Sequence, residues 1–291
     1  MVSQWTRRHF LKAGGTLVAA GAFGSPAAAS SRRQIKKAIM YGTIGFKGSI
    51  MEKLKAVRAA GFEGVEPTSH LPQEEVLRAL ETTGLKAASV CCSTHWARPL
   101  SDPDEAVRRD GREGIIQALK DAKRYGASSI LVVPGIVNKH VSYADCFRRS
   151  VAEIRRLVPL AQELGVKMAI ENVWNDFITK PQQALEFLDA VGSPQVGWHF
   201  DIGNTIRYSP PQTWIPVLGK RILKLHIKEY SRVKGFGVRL FEGDDDWPAI
   251  MAALDKAGYH GWGIAEQPGE QSRDAAAMAD LSRRMDRAFA S

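Results

Sequence analysis

Four short segments late in the chain each end an apolar run on a side chain able to bind a metal ion. They are Met168-Ala169-Ile170-Glu171-Asn172, Gly197-Trp198-His199-Phe200-Asp201, Ile222-Leu223-Lys224-Leu225-His226 and Gly263-Ile264-Ala265-Glu266. Helix-patterned stretches separate them, so they are expected to be successive strands of a βα repeat. In a closed parallel barrel all strand C-termini open onto one mouth, where reactive side chains collect. Glu171, Asp201, His226 and Glu266 would then offer three carboxylates and one imidazole to a single point. That donor set suits a divalent ion, manganese foremost, with magnesium, cobalt and zinc as alternatives. Any one of these residues alone could be a loop cap or a satisfied core histidine. Together, at matching strand ends, they call for a shared cation, because gathered carboxylates need a proton or a positive ion.

A metal flanked by two glutamates suggests a type of reaction. The ion would polarise a carbonyl, and Glu171 and Glu266 would serve as base and acid on the adjoining C–H, through an enediolate. This is the chemistry of aldose–ketose isomerisation and of epimerisation beside a ketone. On a sugar oxidised at C3, loss of the C2 proton would instead expel the group at C1. The same residues would then form a lyase for 3-keto-glycosides. A third reading, an exported sugar-binding protein without catalysis, has to explain why both glutamates are present.

The elements that must position these groups follow from periodicity. Strand patterns fall at roughly 37–43, 62–66, 86–91, 128–133, 166–171, 196–201, 222–227 and 261–266. Amphipathic segments lie between them, among them 50–60, 74–82, 108–125 and 147–164. Gly61, Gly84, Gly126, Gly165, Gly192 and Gly258 stand just past helical runs, where a left-handed residue closes a helix. Eight such units predict one α/β domain, a single (β/α)8 TIM barrel. A doubly wound open sheet is the rival, but no glycine-rich dinucleotide loop follows the first strand. Alternation agrees: Lys167, Ala169 and Glu171, then Gly197, His199 and Asp201, then Lys224, His226 and Lys228 point inward, with Val166, Met168, Ile170, Val196, Trp198, Phe200, Leu223, Leu225 and Ile227 outward. The last strand breaks the pattern, since Trp262 and Ile264 share the parity of Glu266.

The chain has 291 residues, 44% apolar and 24% charged, and a formal net charge of +9. No apolar run is long enough to anchor it stably in a membrane. The first 29 residues look like a twin-arginine export signal. Arg7-Arg8 precede a short apolar stretch and Ala27-Ala28-Ala29 offer a cleavage site. Cleavage would remove Arg7, Arg8 and Lys12 and bring the charge to +6, leaving a mature domain at 30–291 in the periplasm. No basic block interleaved with aromatics appears, so nucleic acid is not an expected partner. Cys91, Cys92 and Cys146 form no C-x-x-C pair and read as core fillers.

With the residues laid out, a resemblance emerges. Glu171-Asn172, Asp201-Ile202-Gly203-Asn204, His226-Ile227-Lys228-Glu229 and Glu242-Gly243-Asp244…Trp247, closing at Glu266, resemble the xylose-isomerase-like sugar isomerase/epimerase superfamily. Ketose 3-epimerases and hydroxypyruvate isomerases belong to it, and the likeness spans about residues 36–290. It implies one divalent ion on Glu171, Asp201, His226 and Glu266, with the two glutamates as the acid/base pair. Arg232 falls where ketose 3-epimerases carry an arginine for a substrate oxygen, and Asn204 replaces a histidine of theirs. The resemblance also reaches apurinic endonucleases, which need a three-metal cluster with further histidines. No second cluster of strand-end ligands is expected here.

Weaker candidates complete the expected site. His95 and Trp96, just after strand three, could give a sugar a hydrogen bond and an apolar wall; His70 has the same standing. Lys228 could meet a substrate oxygen or pair with Glu229 or Asp244, and His199 reads as a partner behind the ligands. Export argues for an unphosphorylated sugar or keto-glycoside as substrate. Aromatic loop residues such as Phe177, Trp214 and Phe236 could shape the pocket or a subunit contact, and homo-oligomerisation is an open expectation.

Overall fold

A computed structural model describes residues 34–291, and the export segment at 1–29 lies outside the described residues. The strands are Lys36–Met40 (β1), Gly64–Glu66 (β2), Lys86–Ala87 (β3), Val90–Cys91 (β4), Ser129–Val132 (β5), Lys167–Glu171 (β6), Val196–Asp201 (β7), Ile222–Ile227 (β8) and Trp262–Ala265 (β9). All named strand pairings are parallel, in the order β3-β2-β1-β9-β8-β7-β6-β5-β4. β3 and β4 are the two halves of one run. The first half pairs with β2 and the second with β5, and Thr68 beyond β2 bridges Cys91. The sheet ends therefore meet, and the nine segments fill eight positions of a TIM barrel. β1 stops short of its pattern at Met40, because Tyr41–Thr43 turns into a 3₁₀ helix.

Helices cover the outside. Ser49 and Glu52 form a reciprocal capping box on Ile50–Ala59, and Asp104, Ser142, Asp246 and Asp274 cap Glu105–Tyr125, Tyr143–Leu164, Trp247–Ala257 and Ala275–Ala290. Gly84, Gly126, Gly165, Gly192 and Gly258 close helices in the left-handed region, as expected. The two long helices begin about a turn earlier than periodicity suggested, at Glu105 and Tyr143, because their N-caps Asp104 and Ser142 set the start. The last helix is tied to β1 inside the barrel wall: Lys37 Nζ donates to Ser282 Oγ (2.8 Å) and pairs with Asp286 Oδ2 (2.7 Å).

The main core lies between sheet and helices, and Met168, Ile170, Trp198, Phe200, Leu225 and Ile227 are buried in it. Leu223 is a correction. The β7–β8 register shifts between Trp198 and His199, and Leu223 sits in that irregularity against Gly197 instead of packing outward. The barrel interior holds a second, small apolar cluster of Ala38, Ala88 and Ile264, with Met40 and Trp262 against it. The parity of β9 is thus real: Trp262 and Ile264 do point inward. Small residues opposite make room for them, and a Cβ on Gly64 would lie 2.7 Å from the Trp262 ring.

Candidate metal centre and substrate cavity

The ends of β6, β7, β8 and β9 bring Glu171, Asp201, His226 and Glu266 to one point. One donor atom from each lies within 4.8 Å of all the others. His226 Nδ1 is 2.8 Å from Glu171 Oε1, 3.0 Å from Glu266 Oε2 and 3.8 Å from Asp201 Oδ2. Register sets this up, because Asp201 pairs with His226 across β7–β8 and the Glu266 amide donates to Ile227 O. Asn172 locks the β6 and β7 ends together. Its amide donates to Asp201 O (2.7 Å), and its oxygen accepts from Asp201 N (3.1 Å) and Trp198 Nε1 (3.0 Å).

The electrostatics are those of a site short of positive charge. Burial raises the Glu171 carboxyl, and burial reinforced by Glu266 and Glu171 raises Asp201 well above its usual range. Burial opposes charge on His226, yet Glu266, Glu171 and Glu66 outweigh it and raise the imidazole. Burial would raise Glu266 too, but Lys228 and His226 overcome it and hold this carboxylate low. Lys228 is raised by the converse: Asp201, Glu266 and Glu171 outweigh its desolvation. One lysine and one imidazole cannot balance three clustered carboxylates and Glu66 behind them. A divalent ion fits both the donor chemistry and the missing charge.

A cavity of about 210 Å³ opens above this point. His95, Trp96, Asn204 and Lys228 all line it, together with Glu171 and Glu266. His95 is buried, and its Nδ1 accepts from Val133 N (3.2 Å), which places the proton on Nε2. Burial lowers its pKa to about 4, so it is a neutral donor. Trp96 stands 49% exposed beside it at the cavity edge. Asn204 N donates to the capping Asp201 Oδ1 (2.7 Å), and its Nδ2 donates to Asn172 O (3.0 Å). Lys228 pairs with Glu266 Oε2 (2.9 Å) and Asp201 Oδ2 (3.4 Å), not with Glu229 or Asp244. Glu229 is buried under the β8 loop, accepting from Phe241 N, Asp245 N and Trp247 Nε1.

Arg232 is not brought to the cavity. Its guanidinium donates to Ile206 O (3.0 Å), and its backbone is held by Asp244. His70 likewise stays outside the cavity lining, turned to Ser69 and Ser93. Phe177 and Trp214 are core residues, whereas Phe236 lines the cavity and stacks with Trp174 (4.8 Å) and Tyr230 (4.9 Å).

Sequence reasoning missed two things. Trp174 forms part of the cavity wall, on a loop with no periodic signal. Glu66 ends β2 and meets His226 Nε2 at 3.0 Å. With His199 they form a second group of metal-type side chains deeper in the barrel, correcting the expectation of none. The signal was available: Gly64-Val65-Glu66 is an apolar run ending on a metal-type side chain, like the four late segments. His199 does lie behind the ligands, its ring 4.1 Å from that of His226.

This chain belongs to the xylose isomerase-like TIM barrel family, whose model matches residues 54–287. It is 24% identical over 247 residues to L-ribulose-5-phosphate 3-epimerase UlaE of Escherichia coli O157:H7, covering 80% of this chain and 87% of that protein. Its fold is similar to D-allulose 3-epimerase from Methylomonas sp. in complex with D-allulose, with TM-score 0.71, 17% identity and coverage of 88% and 97% of the two chains. It is also similar to 3-keto-D-glucoside 4-epimerase YcjR from E. coli, with TM-score 0.73, 19% identity and coverage of 84% and 99%.

Proposed function

We propose that this chain is a divalent-metal-dependent sugar isomerase or epimerase that moves a proton next to a carbonyl of an unphosphorylated sugar or keto-sugar. The observation that carries this is the pair Glu171 and Glu266. They arrive from β6 and β9, on either flank of β7 and β8, and converge on one ring nitrogen at 2.8 and 3.0 Å. Glu171, Asp201, His226 and Glu266 would hold the ion, manganese in the first instance. When bound, it supplies Lewis-acid polarisation of a substrate carbonyl. The protein's own part is to place two carboxylates where one can take a proton and the other return it. His95 Nε2–H and the Asn204 amide present hydrogen-bonding groups to substrate hydroxyls, and Trp96, Trp174 and Phe236 wall off water.

The names of the relatives, epimerases of ketoses and of a keto-glucoside, support the reaction class. Among the described residues, Lys228 is the one lysine in the cavity lining and is committed to two carboxylates, which supports a substrate without phosphate. A second reading, elimination from a 3-keto-glycoside, is favoured by the half-exposed Trp96 at the cavity edge, where an aglycone would lie. We further propose that residues 1–29 direct twin-arginine export and that the enzyme works in the periplasm as domain 30–291. Replacing Arg7-Arg8 by lysines should keep the protein in the cytoplasm on cell fractionation.

Proton NMR of substrate incubated in D₂O with manganese-treated protein, recorded after quenching and removal of the paramagnetic ion on a chelating resin, decides the reaction. Deuterium uptake beside the carbonyl of a ketose, with the skeleton intact and dependent on metal, is the expected outcome. Release of an aglycone from a 3-keto-glucoside would establish the lyase. Inertness toward both substrate types would remove the catalytic reading.

A further inference from the structure

Glu66 is fully buried in the barrel interior, a place that branched apolar side chains usually fill. Across the same interior the chain uses Ala38, Ala88 and Ile264, so a leucine at position 66 would satisfy packing at no electrostatic cost. A buried carboxylate is costly unless it is paired. One oxygen of Glu66 has a partner, His226 Nε2 at 3.0 Å, while Oε1 forms no hydrogen bond among the described residues and lies 3.9 Å from His199 Nδ1. The two nitrogens of His226 therefore face different ways. Nδ1 faces the carboxylates of Glu171 and Glu266, and Nε2 has Glu66 as its hydrogen-bond partner among the described residues.

The geometry points to Glu66 as the positioning residue of the metal centre: by accepting the Nε2–H of His226 it fixes the tautomer whose Nδ1 lone pair is available to a cation. This rests on the four-donor reading above. An imidazole has one proton to give when neutral, and whichever nitrogen holds it cannot bind metal. Without Glu66, either nitrogen could carry that proton. With it, the ring is also held against rotation, from a strand lying three places away around the barrel. The carboxylate touches neither the cavity nor the point where the donors meet, so its effect passes through His226.

The test uses the whole mature domain and zinc, which is diamagnetic. Zinc affinity would be measured by competition with a chromophoric chelator for wild type, Glu66→Leu and Glu66→Gln. Glu66→Leu is expected to bind zinc about 10- to 100-fold more weakly while its metal-free melting curve stays cooperative. Glu66→Gln, which keeps an acceptor oxygen, should fall between the two. In wild type, a long-range ¹H–¹⁵N spectrum of zinc-loaded, ¹⁵N-histidine protein should show His226 protonated at Nε2 and metal-bound at Nδ1. This spectrum needs no variant, so it decides the question even if Glu66→Leu does not fold. A proton on Nδ1, or unchanged zinc affinity in a folded Glu66→Leu, would overturn the assignment while leaving the four-donor centre intact. Two equivalents of zinc, one of them lost in His199→Ala, would also overturn it and make Glu66 a ligand of a second ion. No zinc binding by wild type would remove the metal centre itself, and this role with it.

Discussion

Lys228 Nζ lies 2.9 Å from Glu266 Oε2, so an ammonium from the end of β8 touches one of the two glutamates on which the proposed chemistry depends. The same group reaches Asp201 Oδ2 at 3.4 Å. It therefore neutralises part of the acidic cluster from the cavity side, while Glu66 holds His226 from below. A cation at the donor point would share these carboxylates with the lysine. Lys228 thus influences both how stable the metal-free protein is and how much a metal adds.

Replacing Lys228 by Met leaves Asp201 and Glu266 buried beside Glu171 without their ammonium. Loss of one partner of a buried pair typically costs about 3–5 kcal/mol. The metal-free variant should melt well below wild type, and manganese should raise its melting temperature by more than it raises that of wild type. Equal manganese-induced shifts in the two proteins would contradict the placement of Lys228 against the metal donors.

Glu171→Gln and Glu266→Gln keep the side-chain shape and remove the proton-accepting charge. Each should lower metal-dependent deuterium uptake into substrate by about 10²- to 10⁴-fold, the usual contribution of a positioned acid or base. Metal binding should weaken in each but remain measurable by calorimetry. Turnover within a factor of about two of wild type in either variant would remove that glutamate from the proton transfer, given the size such groups normally contribute.

Asn172 supports the site without lining the cavity. Its side chain makes buried hydrogen bonds with Asp201 O, Asp201 N and Trp198 Nε1. Asn172→Ala leaves these groups unsatisfied, at about 1–3 kcal/mol each before relaxation. A fall in urea-unfolding stability of about 3 kcal/mol or more is expected. Stability within ~0.5 kcal/mol of wild type, the range of an ordinary surface change, would show that the strand ends do not depend on it.

His95 sets a pH dependence. Burial disfavours the imidazolium and lowers its folded-state pKa to about 4, against an ordinary imidazole value of 6.5. Between these values the unfolded chain binds a proton that the native protein does not. The stability contributed is full above the unfolded value and is lost as pH falls toward 4, a difference on the order of 3 kcal/mol. His95→Gln should flatten the decline in urea midpoint between pH 7 and 4.5. A decline as steep as that of wild type would show that His95 does not carry it.

Much of the barrel was legible because strand and helix periods differ and because glycines close the helices. The inward parity of Glu171, Asp201 and His226 followed from alternation alone, and the structure places them together. Alternation failed at Leu223, where a register irregularity takes up a residue that no local pattern marks. It also misjudged β9 as untidy. Inward Trp262 is tolerable only because Gly64, from a strand about 200 residues earlier, leaves the space. Arg232 was placed by resemblance in a loop, and loop backbone, not strand period, sends its guanidinium to Ile206 O.

The sequence by itself determined which strands end on donor atoms, and hence the chemistry available at the mouth of the barrel. That follows from a two-residue period acting over five or six residues, a local property. Only the tertiary structure decided that Glu66 reaches His226, that Lys228 turns to Glu266 and Asp201, and that His95 is a neutral donor. Each depends on which strands and loops become neighbours when the sheet closes, and on how completely water is excluded there. Closure joins residues 160 positions apart, as with Glu66 and His226, and no periodicity within either segment encodes that meeting.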